Sequence, residues 1–156
     1  MLDDLDSCGN AVRFGIQRVP DSRIIAVAWP LSNVPTGITV TIEGAKPVHA
    51  RCAIDSLGVS KMMGRKAAID ATTRDGVPLH VEVDGDTLVT ASLPVPVVFK
   101  GASCDEVLFF STPQALETWK KEKNEGGTTF SLEEAVKHGA GVFGRLARPA
   151  AEAFAR

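Results

Sequence analysis

The chain has 156 residues, of which 44% are hydrophobic and 23% charged, and these fractions predict one ordinary globular domain. Its 17 basic and 19 acidic residues leave a net charge of −2, which gives no reason to expect nucleic acid or an anionic membrane as a partner. No apolar run approaches the ~20 residues of a membrane span. Because the acidic segment 1–6 is also the opposite of the start of a signal peptide, we expect a cytoplasmic protein.

Strand patterns dominate the first two-thirds of the chain. The first of them is a continuous apolar run ended by Pro30, and the second alternates with the period of two that a half-buried strand requires. Asp84-Gly85-Asp86 predicts a hairpin turn between two later strands. The predicted strands are residues 22–29, 37–42, 66–73, 79–83, 87–93 and 107–110.

Helix signals cluster later in the chain, apart from one short segment. Residues 50–57 suit a short helix that Gly58 ends. The sequence Ser111-Thr112-Pro113 supplies an N-cap and a first-turn proline for a second helix. Ser131-Leu132-Glu133-Glu134 is a capping box that opens a third helix, which we expect to run to about residue 146. Strands first and helices late predict an α+β fold, with a mixed, mostly antiparallel sheet, short helices and two C-terminal helices.

The chemistry of the chain is concentrated in Cys52-Ala53-Ile54-Asp55 and in Cys104, which precedes the apolar run 107–110. Thiolates are soft ligands that select soft metals. A carboxyl group can hold and release a proton. In a helix, Cys52 and Asp55 stand at positions i and i+3, so both side chains lie on one face. These three residues are therefore candidates for a soft-metal site with its own proton carrier.

Simpler interpretations of the same residues stay open at this point. A cysteine beside an apolar strand is often a small buried hydrophobe, and a lone aspartate is often a helix cap. A zinc site made of these three residues and a histidine is a further alternative, although the chain lacks paired C-x-x-C motifs. Three cysteines without a secretory signal favour free thiols. Cys8 is interpreted as incidental, or less readily as a thiol that passes metal to the site.

Longer stretches of sequence resemble the alkylmercury lyase (organomercurial lyase) family. The matching words are Ala50–Gly58, Met63-Gly64-Arg65 and Cys104 with Val107–Ser111, and the similarity continues through Trp119 and the segment 131–145. The resemblance covers residues 39–145. It implies the family's catalytic core as the fold and a single domain over residues 1–156, without the N-terminal helical domain that the family usually has.

The resemblance also implies the activity, which is cleavage of a carbon–mercury bond by protonolysis. It assigns Cys52, Asp55 and Cys104 as the catalytic residues and as the residues that contact mercury. Mercury is then the bound product, external thiols release it, and no cofactor is needed. Expected partners are a small organomercurial substrate and, as acceptor of Hg²⁺ in mercury resistance, a mercuric reductase or a low-molecular-weight thiol.

Two other functions remain open from the sequence. A soft-metal binding protein or metallochaperone could hold Hg²⁺ or Cu⁺ on the same thiols without breaking a bond. A relative recruited to other thiol-and-acid chemistry is the third alternative. His49 and Arg51 favour this last alternative, because the family usually has aromatic residues there and these polar residues suit an anionic substrate.

Overall fold

The computed structural model describes residues 16–18, 21 and 25–144, with side chains at 21 and 29–144. Its strands are β1 (Ile16–Arg18), β2 (Ile25–Ala28), β3 (Leu31–Ser32), β4 (Ile38–Ile42), β5 (Val48–Ala50), β6 (Ala67–Thr72), β7 (Pro78–Asp84), β8 (Thr87–Ala91), β9 (Val97–Lys100), β10 (Val107–Phe110) and β11 (Thr128–Ser131). Its helices are α1 (Ala53–Met63), α2 (Pro113–Lys123) and α3 (Leu132–Gly144), and a 3₁₀ turn spans Cys104–Glu106.

The strands form two antiparallel sheets. The larger sheet has the order β1-β2-β3-β5-β4-β6-β7-β8, and the smaller has the order β10-β9-β11. The predicted hairpin is confirmed: Asp84 pairs with Thr87, and Gly85 takes a φ of 63° that few other residues adopt at low cost. The α+β class and the mostly antiparallel pairing predicted from the sequence are therefore confirmed.

Helices α1 and α3 cover one face of the larger sheet. Strand β7 alternates as its sequence requires, with Leu79, Val81 and Val83 buried and the residues between them more exposed. Against this face α1 packs Ile54 and Leu57, which are almost completely buried. The core of the protein therefore lies between the larger sheet and these two helices.

The capping signals predict the starts of the two later helices correctly. The Thr112 hydroxyl accepts a hydrogen bond from the Ala115 N–H at 3.1 Å. In the capping box of α3, the Ser131 N–H donates to Glu134 at 2.8 Å, and the Glu134 N–H donates back to the Ser131 hydroxyl at 3.2 Å. No helix within residues 25–144 is long and apolar enough to cross a membrane.

Helix α1 differs from its prediction, because it begins at Ala53 and runs through Gly58 to Met63. Gly64, with a φ of 64°, ends it in the left-handed conformation typical of a helix C-terminus. Gly58 faces α3 so closely that a Cβ there would lie 2.7 Å from the carbonyl oxygen of Gly139 and 2.1 Å from the ring of Phe143. Gly58 is thus the site of a close helix crossing and not a helix stop.

The smaller sheet was not predicted beyond β10. Its central strand β9 follows Pro94 and Pro96, and residues Val97, Val98 and Phe99 are all buried, so the strand shows no alternation. A fully buried run of this kind carries no period-two signal. Helix α2 packs on this sheet through Leu116.

Replacing Gly139 by alanine should destabilise the protein by about 1–3 kcal/mol, the usual cost of overpacking. A Cβ at Gly139 would lie 2.9 Å from both the Gly58 nitrogen and the Ile54 carbonyl oxygen, which are backbone atoms of α1 and cannot rotate away. Gly141 is the matched control on the same helix, since nothing lies within 4 Å of its Cβ position. Gly141→Ala should be neutral or stabilise by up to about 1 kcal/mol. Urea unfolding measures both, and equal effects would contradict the close crossing.

Candidate functional site

Cys52 and Asp55 are held together by the start of α1. Cys52 follows β5 in an extended conformation (φ −149°, ψ 175°) and is the N-cap of the helix. Its sulfur accepts a hydrogen bond from the Asp55 N–H at 3.5 Å, as the N-cap side chain of a helix does for the third helical residue. The prediction that the two side chains lie together is therefore confirmed, but Cys52 caps the helix and does not lie within it.

Cys104 reaches the same place from the turn between β9 and β10. Glu106 fixes this turn, because its carboxylate accepts hydrogen bonds from the N–H groups of Ala102 at 2.6 Å and Ser103 at 3.2 Å. Gly101 also suits this turn, since a Cβ at this position would lie 2.6 Å from the Cβ of Glu106. The turn therefore places the Cys104 side chain in the core, with 5% of its surface exposed.

The three predicted residues form one cluster. The sulfurs of Cys52 and Cys104 and a carboxylate oxygen of Asp55 all lie within 4.8 Å of one another, and all three residues are buried. Two sulfurs that bridge one metal ion in a line stand about 4–5 Å apart when each bond is near 2.3 Å, the zinc value. No histidine belongs to the cluster among residues 29–144, so the structure gives no support to the zinc alternative.

The oxidation states of the two cysteines differ. Cys52 keeps its thiol. Cys104 is disulfide-bonded, so the expectation of free thiols is wrong for this residue. Metal binding at the cluster consequently requires Cys104 in its reduced form. Cys8 lies outside the described residues.

Burial makes Asp55 an unusual carboxylic acid. Only 1% of the residue is exposed, and its Oδ2 atom has no hydrogen-bond partner among the described residues. Burial raises the pKa of Asp55 from 3.8 to about 7, although the Cys52 side chain, the Arg51 charge and the Trp29 indole each act to lower it. About half of the Asp55 carboxyl groups therefore carry a proton at neutral pH.

Cys52 is kept protonated by the same surroundings. Burial raises the pKa of the Cys52 thiol, and the nearby Asp55 charge raises it further. The hydrogen bond from the Asp55 backbone N–H acts in the opposite direction but is the weaker influence. In the absence of a metal, Cys52 is thus a thiol and not a thiolate at neutral pH.

A cavity of about 340 Å³ lies beside the two cysteines. Cys52 and Cys104 both line it, whereas Asp55 is not a lining residue. Arg51 lines the cavity, but His49 does not. The other lining residues are Thr36, Gly37, Ile38, Thr72, Thr73, Arg74, Asp105, Val107, Leu108 and Phe109.

Sequence reasoning missed three residues of this site. Trp29 acts on Asp55 from the segment that joins β2 to β3, and Arg74 reaches the cavity from the turn that joins β6 to β7. Neither residue belongs to a local motif, so no sequence signal marks it. Asp105 adjoins Cys104 in the chain, and this adjacency was a signal that could have identified it as a lining residue.

Replacing Asp55 by asparagine should stabilise the protein above pH 7 and remove a pH dependence. Because the native pKa of about 7 exceeds the ordinary aspartate pKa of 3.8, the native state binds more protons than the unfolded state between these pH values. The contribution of Asp55 to stability therefore falls as pH rises from about 4 to 7, by about 4 kcal/mol when the pKa difference is converted. Unfolding by urea at several pH values measures the slope, which Asp55→Asn should flatten. The exposed Asp86 is the control, and Asp86→Asn should keep the wild-type slope.

Comparison with known proteins places this chain in a family. The sequence model of the alkylmercury lyase (MerB) family matches residues 31–144. The alkylmercury lyases of Bacillus cereus and Clostridium butyricum are each 32% identical to this chain over 124 residues, which is 72% of this chain and 56% of each relative. The alkylmercury lyase of Staphylococcus epidermidis is 27% identical over the same shares.

The fold comparison agrees with the sequence comparison. A crystal structure of the mercury-bound form of MerB2 superposes with a TM-score of 0.75 over 85% of this chain and 68% of that chain, at 23% identity. At this identity the likeness supports the fold. The chain spans a little over half the length of the curated relatives that it matches. The extent of the family match, residues 31–144, is decisive: the chain belongs to the alkylmercury lyase family.

Proposed function

We propose that this protein cleaves carbon–mercury bonds, with Cys52 and Cys104 as the mercury-binding thiols and Asp55 as the proton carrier. The observation that carries the proposal is the cluster itself, in which two sulfurs and a carboxylate oxygen lie within 4.8 Å of one another. Membership of the alkylmercury lyase family supports the same reaction. In the balanced reaction, an organomercurial RHgX and two protein thiols give the hydrocarbon RH, the acid HX and Hg²⁺ bound by two thiolates.

The first step is capture of mercury by a cysteine. Mercury is a soft metal, so thiolates bind it far better than oxygen or nitrogen ligands do. Because burial keeps the Cys52 proton in place, the thiolate forms only as the metal binds and drives the proton off. In molecules whose Asp55 is ionised, a carboxylate oxygen within 4.8 Å of the Cys52 sulfur accepts this proton.

The second step returns the proton to the departing carbon. A bare carbanion is too unstable to leave, so a proton must arrive as the carbon–mercury bond breaks. An aspartate of ordinary pKa is protonated in only about one molecule in a thousand at pH 7. With a pKa of about 7, Asp55 is protonated in about half of the molecules and is poised between base and acid. The second thiolate, from reduced Cys104, replaces the carbon as the partner ligand of mercury.

We further propose that the reaction needs no cofactor and that the bound mercury leaves by thiol exchange. Protonolysis transfers no electrons, so these three residues suffice without a cofactor. Hg²⁺ held by two thiolates leaves by exchange with another thiol, either a low-molecular-weight thiol or a mercuric reductase, as part of mercury resistance. A cytoplasmic location fits the proposal, because that compartment keeps thiols reduced.

Cys52→Ser and Cys104→Ser should each abolish release of hydrocarbon. A serine hydroxyl is a hard, weakly acidic group that cannot replace a thiolate on mercury. The assay is benzene release from phenylmercury with excess external thiol, which also keeps Cys104 reduced. Cys8→Ser is the matched control, and we expect it to retain most of the activity. Full activity of either site variant would show that its thiol is not used.

Replacing Asp55 by asparagine separates cleavage from mere binding. Asparagine keeps the shape of the side chain but has no transferable proton at neutral pH. We expect Asp55→Asn to capture phenylmercury on its cysteines and to release benzene at least about 10²-fold more slowly, the usual scale for loss of a general acid. Asp86→Asn is the control and should cleave at the wild-type rate.

The alternative function makes the opposite prediction for the wild-type protein. A soft-metal binding protein needs only the thiols, so wild-type protein that binds phenylmercury and never yields benzene would favour a metallochaperone. An Asp55→Asn variant that cleaves at the wild-type rate would show that the proton comes from another group. Mass spectrometry of the mercury adduct, run beside the benzene assay, distinguishes capture from cleavage in each case.

A further inference from the structure

The cavity beside Cys52 and Cys104 has more positive than negative residues in its lining. Its charged lining residues are Arg51, Arg74 and Asp105. Arg51 is close enough to lower the pKa of Asp55, so its positive charge acts at the cluster. Arg74 makes no ion pair with any residue of the described part of the chain. Arg74 is therefore a lining residue whose positive charge is paired with no described carboxylate.

Arg74 is held in place by its backbone. The Arg74 N–H donates a hydrogen bond to the Phe109 carbonyl oxygen at 2.7 Å, which ties the β6–β7 turn to strand β10. The next residue, Asp75, accepts hydrogen bonds from the Ser111 N–H at 2.9 Å and from the Ser111 hydroxyl. Thr73 closes the other side of the turn, since its N–H donates to the Val77 carbonyl oxygen at 2.9 Å. The start of the Arg74 side chain is thus fixed at the cavity wall.

We infer that this cavity selects mercury compounds in which a ligand of mercury bears a carboxylate, and that Arg74 is the main residue that recognises it. The inference rests on the proposed function and adds a substrate class to it. A planar guanidinium group binds a carboxylate through two parallel hydrogen bonds, which neither the cysteines nor the apolar wall can offer. Asp105 acts against this preference because its carboxylate repels the same ligand.

Two sources could supply the carboxylate to the same guanidinium. It can belong to the organic group that leaves as hydrocarbon, or to a thiol that enters bound to mercury and is displaced by the first cysteine. Crossing two organomercurials with two thiols tells them apart. The organomercurials are 4-carboxyphenylmercury and phenylmercury, and the thiols are mercaptoacetate and the uncharged mercaptoethanol.

The measured quantity is the ratio of kcat/KM for the carboxylate-bearing compound to kcat/KM for its neutral counterpart. We expect this ratio to exceed one for the wild-type protein, through the organic group or through the thiol. Arg74→Met should lower the ratio roughly fivefold, as expected for loss of one partly exposed charge-assisted contact. Arg74→Lys should restore much of it, and Asp105→Asn should raise it. Salt near 0.5 M should weaken the preference.

The control and the neutral substrate separate the outcomes. Arg65 is an exposed arginine beyond the other end of α1 that contacts Glu43, and Arg65→Met should leave the ratio unchanged. Cleavage of phenylmercury with mercaptoethanol is the neutral reference in each ratio, and urea unfolding of Arg74→Met beside wild type shows that the variant is folded. Equal ratios for wild type and Arg74→Met in all four combinations would overturn the inference alone. Absence of cleavage of every compound would overturn the proposed function and this inference with it.

Discussion

The close crossing of α1 and α3 is the contact on which the position of the site depends. Gly58 and Gly139 let the two helices approach until backbone meets backbone, because a Cβ at Gly139 would already lie 2.9 Å from the Gly58 nitrogen. The Phe143 ring then occupies the space over Gly58 and packs on Trp29 with their ring centroids 4.8 Å apart. Trp29 in turn acts on the Asp55 carboxyl group. A contact midway along α1 thus helps to set the surroundings of the acid at its N-terminus.

Burial of the Asp55 carboxyl group lowers the stability of the folded protein. Burial of an ionisable carboxyl group disfavours its charged form, and three neighbouring groups recover only part of this cost. An apolar side chain in the same place would fold without that cost. Shifted pKa values of this kind are typical of functional sites, where the chemistry requires the altered protonation state. Here the shift leaves Asp55 close to half protonated at neutral pH, which suits a group that both accepts and donates a proton.

The sequence predicts the parts of the molecule whose causes are local. Thr112 and Ser131 begin helices through bonds to residues three positions away, and Gly85 forms a tight turn, so each signal is complete within a few residues. Cys52 and Asp55 share the N-terminus of one helix for the same reason. Predicting that Cys104 joins them required the family resemblance, since about 50 residues separate Cys104 from both in the chain.

The failures of prediction have long-range causes. Gly58 has the local signature of a helix stop, but its role is set by Gly139 and Phe143, which come some eighty residues later. Strand β9 has no recognisable pattern because its three apolar residues, Val97, Val98 and Phe99, are all buried. Arg74 lines the cavity on a turn that is hydrogen-bonded to Phe109 of another sheet. Contacts between distant segments leave no periodic pattern in either segment, so local reasoning cannot find them.

The position of Cys52 at a helix N-cap explains how one short segment can serve both halves of the proposed reaction. The Asp55 residue acts on Cys52 in two opposite ways, since its N–H donates to the sulfur while its carboxylate raises the pKa of the thiol. Without a metal the carboxylate and burial prevail, and the sulfur keeps its proton. A bound mercury ion neutralises the thiolate, so the carboxylate no longer opposes it, whereas the N–H and the helix dipole still favour it. In the proposed reaction, the proton that leaves the sulfur then has a buried carboxylate oxygen within 4.8 Å to accept it.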